Sequence, residues 1–257
     1  MNRKHGGLSP EDPPGSLDFS ANINPLGPPS WLRTLISREI ETLERYPEPD
    51  AAALRREAAA VYNLSPSQVI AGNGATELIY ALCRAERSRT ALIPSPCYDD
   101  YFDAALQAEM ATRELPLNPE SGYRLDPVAL GSSLEELGQP ALVILGAPNN
   151  PTGLLPPREE LIALMRSLPE TLFCVDESFL DFCGDTYPSF VQSGLINCLV
   201  VTSLTKFYAV PGLRLGLILG SAEAVARVGD QLPSWSVNTL AQKVGRRALG
   251  DGAYTAE

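Results

Sequence analysis

Short apolar runs and amphipathic stretches alternate along most of this chain. LRTLISREIETL (32–43) and AAALRREAAAVY (51–62) space their apolar residues as helices do. QVIAG (68–72) predicts a short strand, followed at once by a helix over TELIYALCRA (76–85). TALIP (90–94), ALVILG (141–146), TLFCVDE (171–177), CLVVTSL (198–204) and LGLILG (215–220) are apolar runs of strand length. REELIALMRSL (158–168) predicts a helix between two of them, and NTLAQKVGRRALG (238–250) a last one. Buried strands alternating with helices predict an α/β fold, a mostly parallel sheet sandwiched by helices. Residues 1–30 are rich in Pro and Gly and predict an extended N-terminal arm ahead of one large domain, 31–257.

Composition narrows the function classes. The 257 residues are 44% hydrophobic, enough for a sizeable core. A formal net charge of -11 lacks the basic footprint of a nucleic-acid binder. The plain reading of the acidity is solubility, and local basic and backbone groups can still hold an anionic small molecule. No apolar stretch has the length to cross a bilayer, and the start MNRKHGGLSPEDPPG is too polar for a secretory signal. A cytoplasmic protein is expected. The five cysteines are scattered without a CxxC pair, so neither disulfides nor a metal site is expected.

In open sheets of this kind, ligands bind beyond the carboxyl ends of the strands. After QVIAG come Asn73, Gly74, Ala75 and Thr76 at a helix start. Free N–H groups and the positive dipole end suit a phosphate there, and the same residues also suit a plain helix cap. After ALVILGA comes the stiff turn PNNPTG (148–153), in which Asn150 can aim a fixed amide, or which simply reverses the chain. Asp176 ends the next run. A carboxylate there suits a cationic ring nitrogen, or a structural partner. After CLVV come Ser203 and Lys206, then Arg214. An isolated lysine is ordinarily a surface charge. In a partly dry site its amine is easily deprotonated and can bond an aldehyde. Read together, these parts form one coherent site for a phosphorylated, ring-bearing aldehyde.

With GNGATE (72–77), PNNPTG (148–153), VDESF (175–179) and SLTKFYAVPGLRLG (203–216), the chain resembles the fold-type I pyridoxal 5′-phosphate (PLP) enzymes, class I/II aminotransferases in particular. The resemblance implies Lys206 as the lysine that bonds the cofactor aldehyde. It implies Asp176 at the ring nitrogen and Asn150 at the phenolic oxygen. Gly74, Ala75, Thr76, Ser203 and Arg214 would hold the phosphate. Tyr98, in PSPCYDDY, would stack on the ring, or it is a core aromatic. Tyr46, in ERYPEPD, would reach the phosphate of a second copy, which implies a homodimer.

Within that group two families are similar: histidinol-phosphate aminotransferase and the threonine-phosphate decarboxylase of cobalamin biosynthesis. DFSANINPLGPP (18–29), the His5 arm and WSVNTLAQ (235–242) resemble the decarboxylase more. So does Phe179, where the aminotransferase carries a tyrosine. The resemblance also turns His5 and Asn24 toward the substrate. Relatives continue into a small C-terminal domain that carries the arginine gripping the substrate carboxylate. The expectation for this chain is the large domain without that part, with Arg246 and Arg247 on a solvated helix face. Three readings follow: the decarboxylase, an aminotransferase, and a truncated, impaired PLP-binding paralogue.

Overall fold

A computed structural model describes residues 6–7, 11–18 and 20–256. Two helices come first, α1 (Leu32–Glu39) and α2 (Ala52–Val61). β1 (Val69–Gly72) leads into α3 (Ala75–Ala85), and β2 (Thr90–Ser95) leads toward α4 (Asp100–Gln107). Then come β3 (Thr112–Pro116), α5 (Pro127–Leu137), β4 (Ala141–Gly146), α6 (Arg158–Ser167) and β5 (Leu172–Asp176). β6 (Cys198–Ser203) runs straight into the single turn α7 (Leu204–Phe207). β7 (Gly216–Leu219), α8 (Ala222–Gly229), α9 (Thr239–Leu249) and α10 (Gly252–Thr255) follow.

The strands form one sheet in the order β1-β7-β6-β5-β4-β2-β3. β7 runs antiparallel to both neighbours, and every other pairing inside the sheet is parallel. The mostly parallel sheet is thus as expected. The reason lies in the apolar runs: every residue of β4, β5 and β6 is buried, so both sheet faces need cover. Alternate side chains feed two cores. Phe173, Val175 and Val200 enter one, and Cys174, Leu199 and Val201 the other.

Two local expectations differ from the structure. The stretch 32–43 does not form one helix. α1 ends at Glu39 and tightens into a 3₁₀ turn over Ile40–Glu44. Ile40 and Leu43 are more than half exposed, so no buried stripe sustains further α-helical turns. β3 was not legible, because TRELP alternates exposed and half-buried residues and has little apolar content. It is an edge strand that pairs only with β2.

The described part of the arm carries no helix or strand through residue 30. It is tied to the domain at Asn24. The Asn24 N–H donates to the Lys206 carbonyl at 3.3 Å, and its Nδ2 donates to the Phe207 carbonyl at 2.8 Å.

Candidate functional site

Sheet register gathers the strand ends. Gly72 of β1 pairs with Gly216 of β7, which pairs with Ser203 of β6. Asp176 of β5 pairs with Val201 on one side and Gly146 of β4 on the other. The loops beyond this row enclose a cavity of about 490 Å³.

At one end of the cavity stands the start of α3. Gly74 is its N-cap at φ +94, and no side chain caps the helix. The plain-cap reading of Asn73 and Thr76 therefore does not describe this turn. The Thr76 hydroxyl instead lies 3.2 Å from the Tyr98 hydroxyl. Two glycines permit the close approach. A Cβ on Gly74 would meet Nη2 of Arg214 at 2.7 Å, and a Cβ on Gly216 would meet the Ala75 nitrogen at 2.4 Å. Arg214 holds a left-handed backbone at φ 54, and its Nη1 donates to the Pro211 carbonyl at 3.2 Å. Ser203 and Thr205 are buried beside it, their hydroxyls 2.8 Å apart. Unpaired first-turn N–H groups, hydroxyls and a guanidinium around one point make an anion cradle.

At the other end lies buried Asp176. The Tyr101 hydroxyl donates to its Oδ2 at 2.7 Å, and the Ser178 N–H donates to its Oδ1 at 2.9 Å. Burial pushes the Asp176 carboxyl above its ordinary pKa, while these donors and the Lys206 charge pull the other way. Burial also pushes Tyr101 well above the usual phenol range.

Between the two ends sits Lys206 on α7, half-buried and lining the cavity. Burial is the main cause that lowers its pKa, the nearby Arg214 charge lowers it further, and Asp176 opposes both. The walls are Tyr98 and Asn150. Tyr98 packs edge-on against Tyr101 at 5.6 Å between ring centroids. Its hydroxyl also donates to Oδ2 of Asp100, and burial with that carboxylate raises the phenol to about 12. In the turn 148–153, Asn149 takes the structural part. Its Nδ2 donates to the Pro96 carbonyl and to the Thr152 hydroxyl, each at 3.0 Å. Asn150 lines the cavity. Phe179 lines it too, and borders a second chamber of about 540 Å³ with Phe182 and Cys183.

The structure thus brings Ala75, Thr76, Tyr98, Asn150, Asp176, Ser203, Lys206 and Arg214 around one cavity, with Gly74 against Arg214. It does not bring Asn24 there. That side chain is buried and its amide is engaged with the Phe207 carbonyl and the Tyr254 hydroxyl, so it braces the arm. Tyr46 also lies outside the cavity, 82% exposed and 5.1 Å from the Trp235 ring. His5 lies outside the described residues. Arg246 and Arg247 are on the exposed face of α9, where Arg247 packs over the Trp31 ring at 5.3 Å. Asp100, Tyr101, Ser178 and Thr205 line the cavity and were not singled out from the sequence. One signal was available for Tyr101: it follows Tyr98 by three residues, a spacing that places two side chains on one face where the chain turns helical.

Among the described residues no group of three or more His, Cys, Asp or Glu is placed to hold a metal. No described helix is long and apolar enough to cross a membrane.

Residues 14–257 match the family model described as aminotransferase class I and II. The chain is 37% identical over 252 residues to the adenosylcobalamin biosynthesis bifunctional protein CobDQ of Leptospira interrogans, covering 98% of this chain and 29% of that one. It is 38% identical over 259 residues to the threonine-phosphate decarboxylase of Salmonella typhimurium, covering 96% of this chain and 68% of that one. A solved histidinol-phosphate aminotransferase from Clostridium acetobutylicum matches with a TM-score of 0.85 and 29% identity, over 94% of this chain and 72% of that one. The chain belongs to the aminotransferase class I and II family. PLP is the cofactor of that family, and the residues present fit it. The anion cradle at α3 exists only because Gly74 and Gly216 lack a Cβ. An amine with lowered pKa and a buried, doubly hydrogen-bonded carboxylate complete the donor set.

Proposed function

We propose that this chain carries the active site of a PLP-dependent carboxy-lyase that converts L-threonine O-3-phosphate to (R)-1-aminopropan-2-ol O-2-phosphate. The cofactor part of the reading rests on Lys206 lining one cavity with the α3 cradle and Asp176, within electrostatic reach of both Arg214 and Asp176. The choice of decarboxylation rests on Phe179 at the cavity wall, where the resemblance puts a tyrosine in the aminotransferases. It is supported by the 38% identity to a threonine-phosphate decarboxylase.

Each residue then has a stated task. Lys206 presents an amine with lowered pKa, so a larger fraction is neutral near pH 7 than for a solvated lysine. It would hold the cofactor aldehyde. When bound, the cofactor supplies a cationic ring that takes up the electron pair left at Cα as carbon dioxide departs. Asp176 would keep the proton on the ring nitrogen, and Tyr101 and the Ser178 N–H hold Asp176 in place. Lys206 Nζ returns a proton to Cα. Ala75, Thr76, Ser203 and Arg214 would hold the cofactor phosphate. Phe179 offers no hydroxyl, so among these two wall residues Asn150 would be the donor to the phenolic oxygen.

The test is product analysis with threonine phosphate and PLP, comparing wild type with Lys206→Ala. Carbon dioxide release that depends on Lys206 supports the reading. Keto acid formed from an added 2-oxo acid acceptor, without carbon dioxide, refutes it in favour of the aminotransferase. A chain that binds PLP through Lys206 and turns over neither way is the impaired paralogue. The proposed homodimer gives exposed Tyr46 a site on a second copy. Sedimentation equilibrium checks it, and a monomer at all concentrations excludes it.

A further inference from the structure

We propose that Asp100 is a positioning residue of this site: its carboxylate holds the Tyr98 hydroxyl and so sets the angle of the ring wall against which the cofactor lies. This deepens the cofactor reading above and rests on it.

Asp100 is the first residue of α4 and only 4% exposed. An acidic residue in a first helical turn is ordinarily solvated and served by the helix dipole. This one is turned inward and lines the cavity. Its Oδ2 accepts the Tyr98 hydroxyl, and its Oδ1 lies 3.4 Å from the Tyr80 hydroxyl. Burying a carboxylate is unfavourable unless donors hold it, so its inward position is tied to these phenols.

Proton bookkeeping then orders the wall. The Tyr98 hydroxyl donates to Asp100, and a phenol has one proton. The 3.2 Å contact between Tyr98 and Thr76 is left to the proton of Thr76. When an anion occupies the α3 cradle, that proton can turn to it without disturbing Tyr98. The Tyr98 ring is meanwhile fixed at two points, by Asp100 at its hydroxyl and by Tyr101 at 5.6 Å along its edge. A phenylalanine at 98 would supply a similar stacking area and lack the first of these points. The hydroxyl at position 98 thus has a function that stacking alone does not require.

A double-mutant cycle over Asp100→Asn and Tyr98→Phe tests this, with Lys206→Ala as the cofactor control. The readouts are PLP affinity by absorbance titration and the circular dichroism of the lysine-bound cofactor band. Each single variant should bind PLP about tenfold more weakly and show reduced dichroism. The double variant should match Tyr98→Phe, because Asp100→Asn acts through the bond that Tyr98→Phe removes. Asp100→Glu should recover part of the loss. Melting of each apoprotein is followed in parallel, and Asp100→Ala replaces Asp100→Asn in the cycle if the latter does not fold. Additive losses, with Asp100→Asn still costing its full factor when residue 98 is Phe, overturn the proposal alone. A wild-type chain with no Lys206-dependent band overturns the cofactor reading, and this proposal with it.

Discussion

The Tyr101 hydroxyl donates to Oδ2 of Asp176 at 2.7 Å, and both residues are buried. The bond joins helix α4 to the end of strand β5, two elements that are not neighbours in the chain. It favours the ionised carboxylate against the burial that disfavours it. Tyr101→Phe should therefore lower apoprotein stability by about 1–3 kcal/mol. The sign with pH follows. Removing a donor to the ionised form raises the Asp176 pKa further, so the loss should grow as pH rises and shrink as Asp176 protonates. Urea unfolding at several pH values checks both parts. A loss independent of pH would assign Tyr101 to packing alone.

Gly216 faces the backbone of α3, where an added Cβ would sit 2.4 Å from the Ala75 nitrogen. Neither partner is a flexible side-chain tip, so one element has to move. Gly216→Ala should cost about 1–3 kcal/mol. It should also open the anion cradle and weaken PLP at least tenfold. Thermal unfolding and PLP titration measure the two effects. Unchanged cofactor affinity would remove α3 from the phosphate site.

Phe179 borders both chambers and has no hydroxyl. Phe179→Tyr restores the donor that the resemblance places in the aminotransferases. A donor to the phenolic oxygen favours its ionised form. The pH midpoint of the bound cofactor's visible band should fall, by roughly one unit. Spectrophotometric titration reads this directly. A midpoint that stays put means the new hydroxyl does not reach the cofactor.

Glu177 is buried next to Asp176, yet serves the loop behind it. Its Oε2 accepts from the Ser189 hydroxyl and its Oε1 from the Phe190 N–H, each at 2.6 Å. Burial outweighs these donors and raises its pKa from 4.5 to about 7. The folded state therefore binds the proton more tightly than the unfolded chain does. Stability falls as pH rises from about 4.5 to about 7, by up to the order of 3 kcal/mol. Glu177→Gln, which keeps the acceptor for Phe190, should flatten that slope. Melting temperatures across the window test it, and an unchanged slope would place the titrating group elsewhere.

Much of this protein is legible in its sequence. Lys206, Asp176, Asn150 and Arg214 each follow an apolar run or a turn, so the sheet that buries those runs also sets their ends near one another. The mostly parallel sheet follows from the same runs, since residues buried on both faces leave no alternation to hide. The edge strand β3 escaped notice for the opposite reason: with partners on one side only, it has no need of apolar residues on both faces.

What the chain alone determined is which residue types stand at the strand ends, because local pattern and turn chemistry are written in consecutive positions. What only the tertiary structure decided is which side chains face each other there. Asn24 looked like a substrate contact in its motif and is an anchor for the arm, because the carbonyl of Phe207, 183 residues away, captures its amide. Asp100 carries no mark of the site along the chain, and Tyr101 only its spacing from Tyr98. The packing of α4 on the sheet turns one toward Tyr98 and the other toward Asp176. Hydrogen bonds of this kind depend on distances between elements, and no spacing along the sequence carries them.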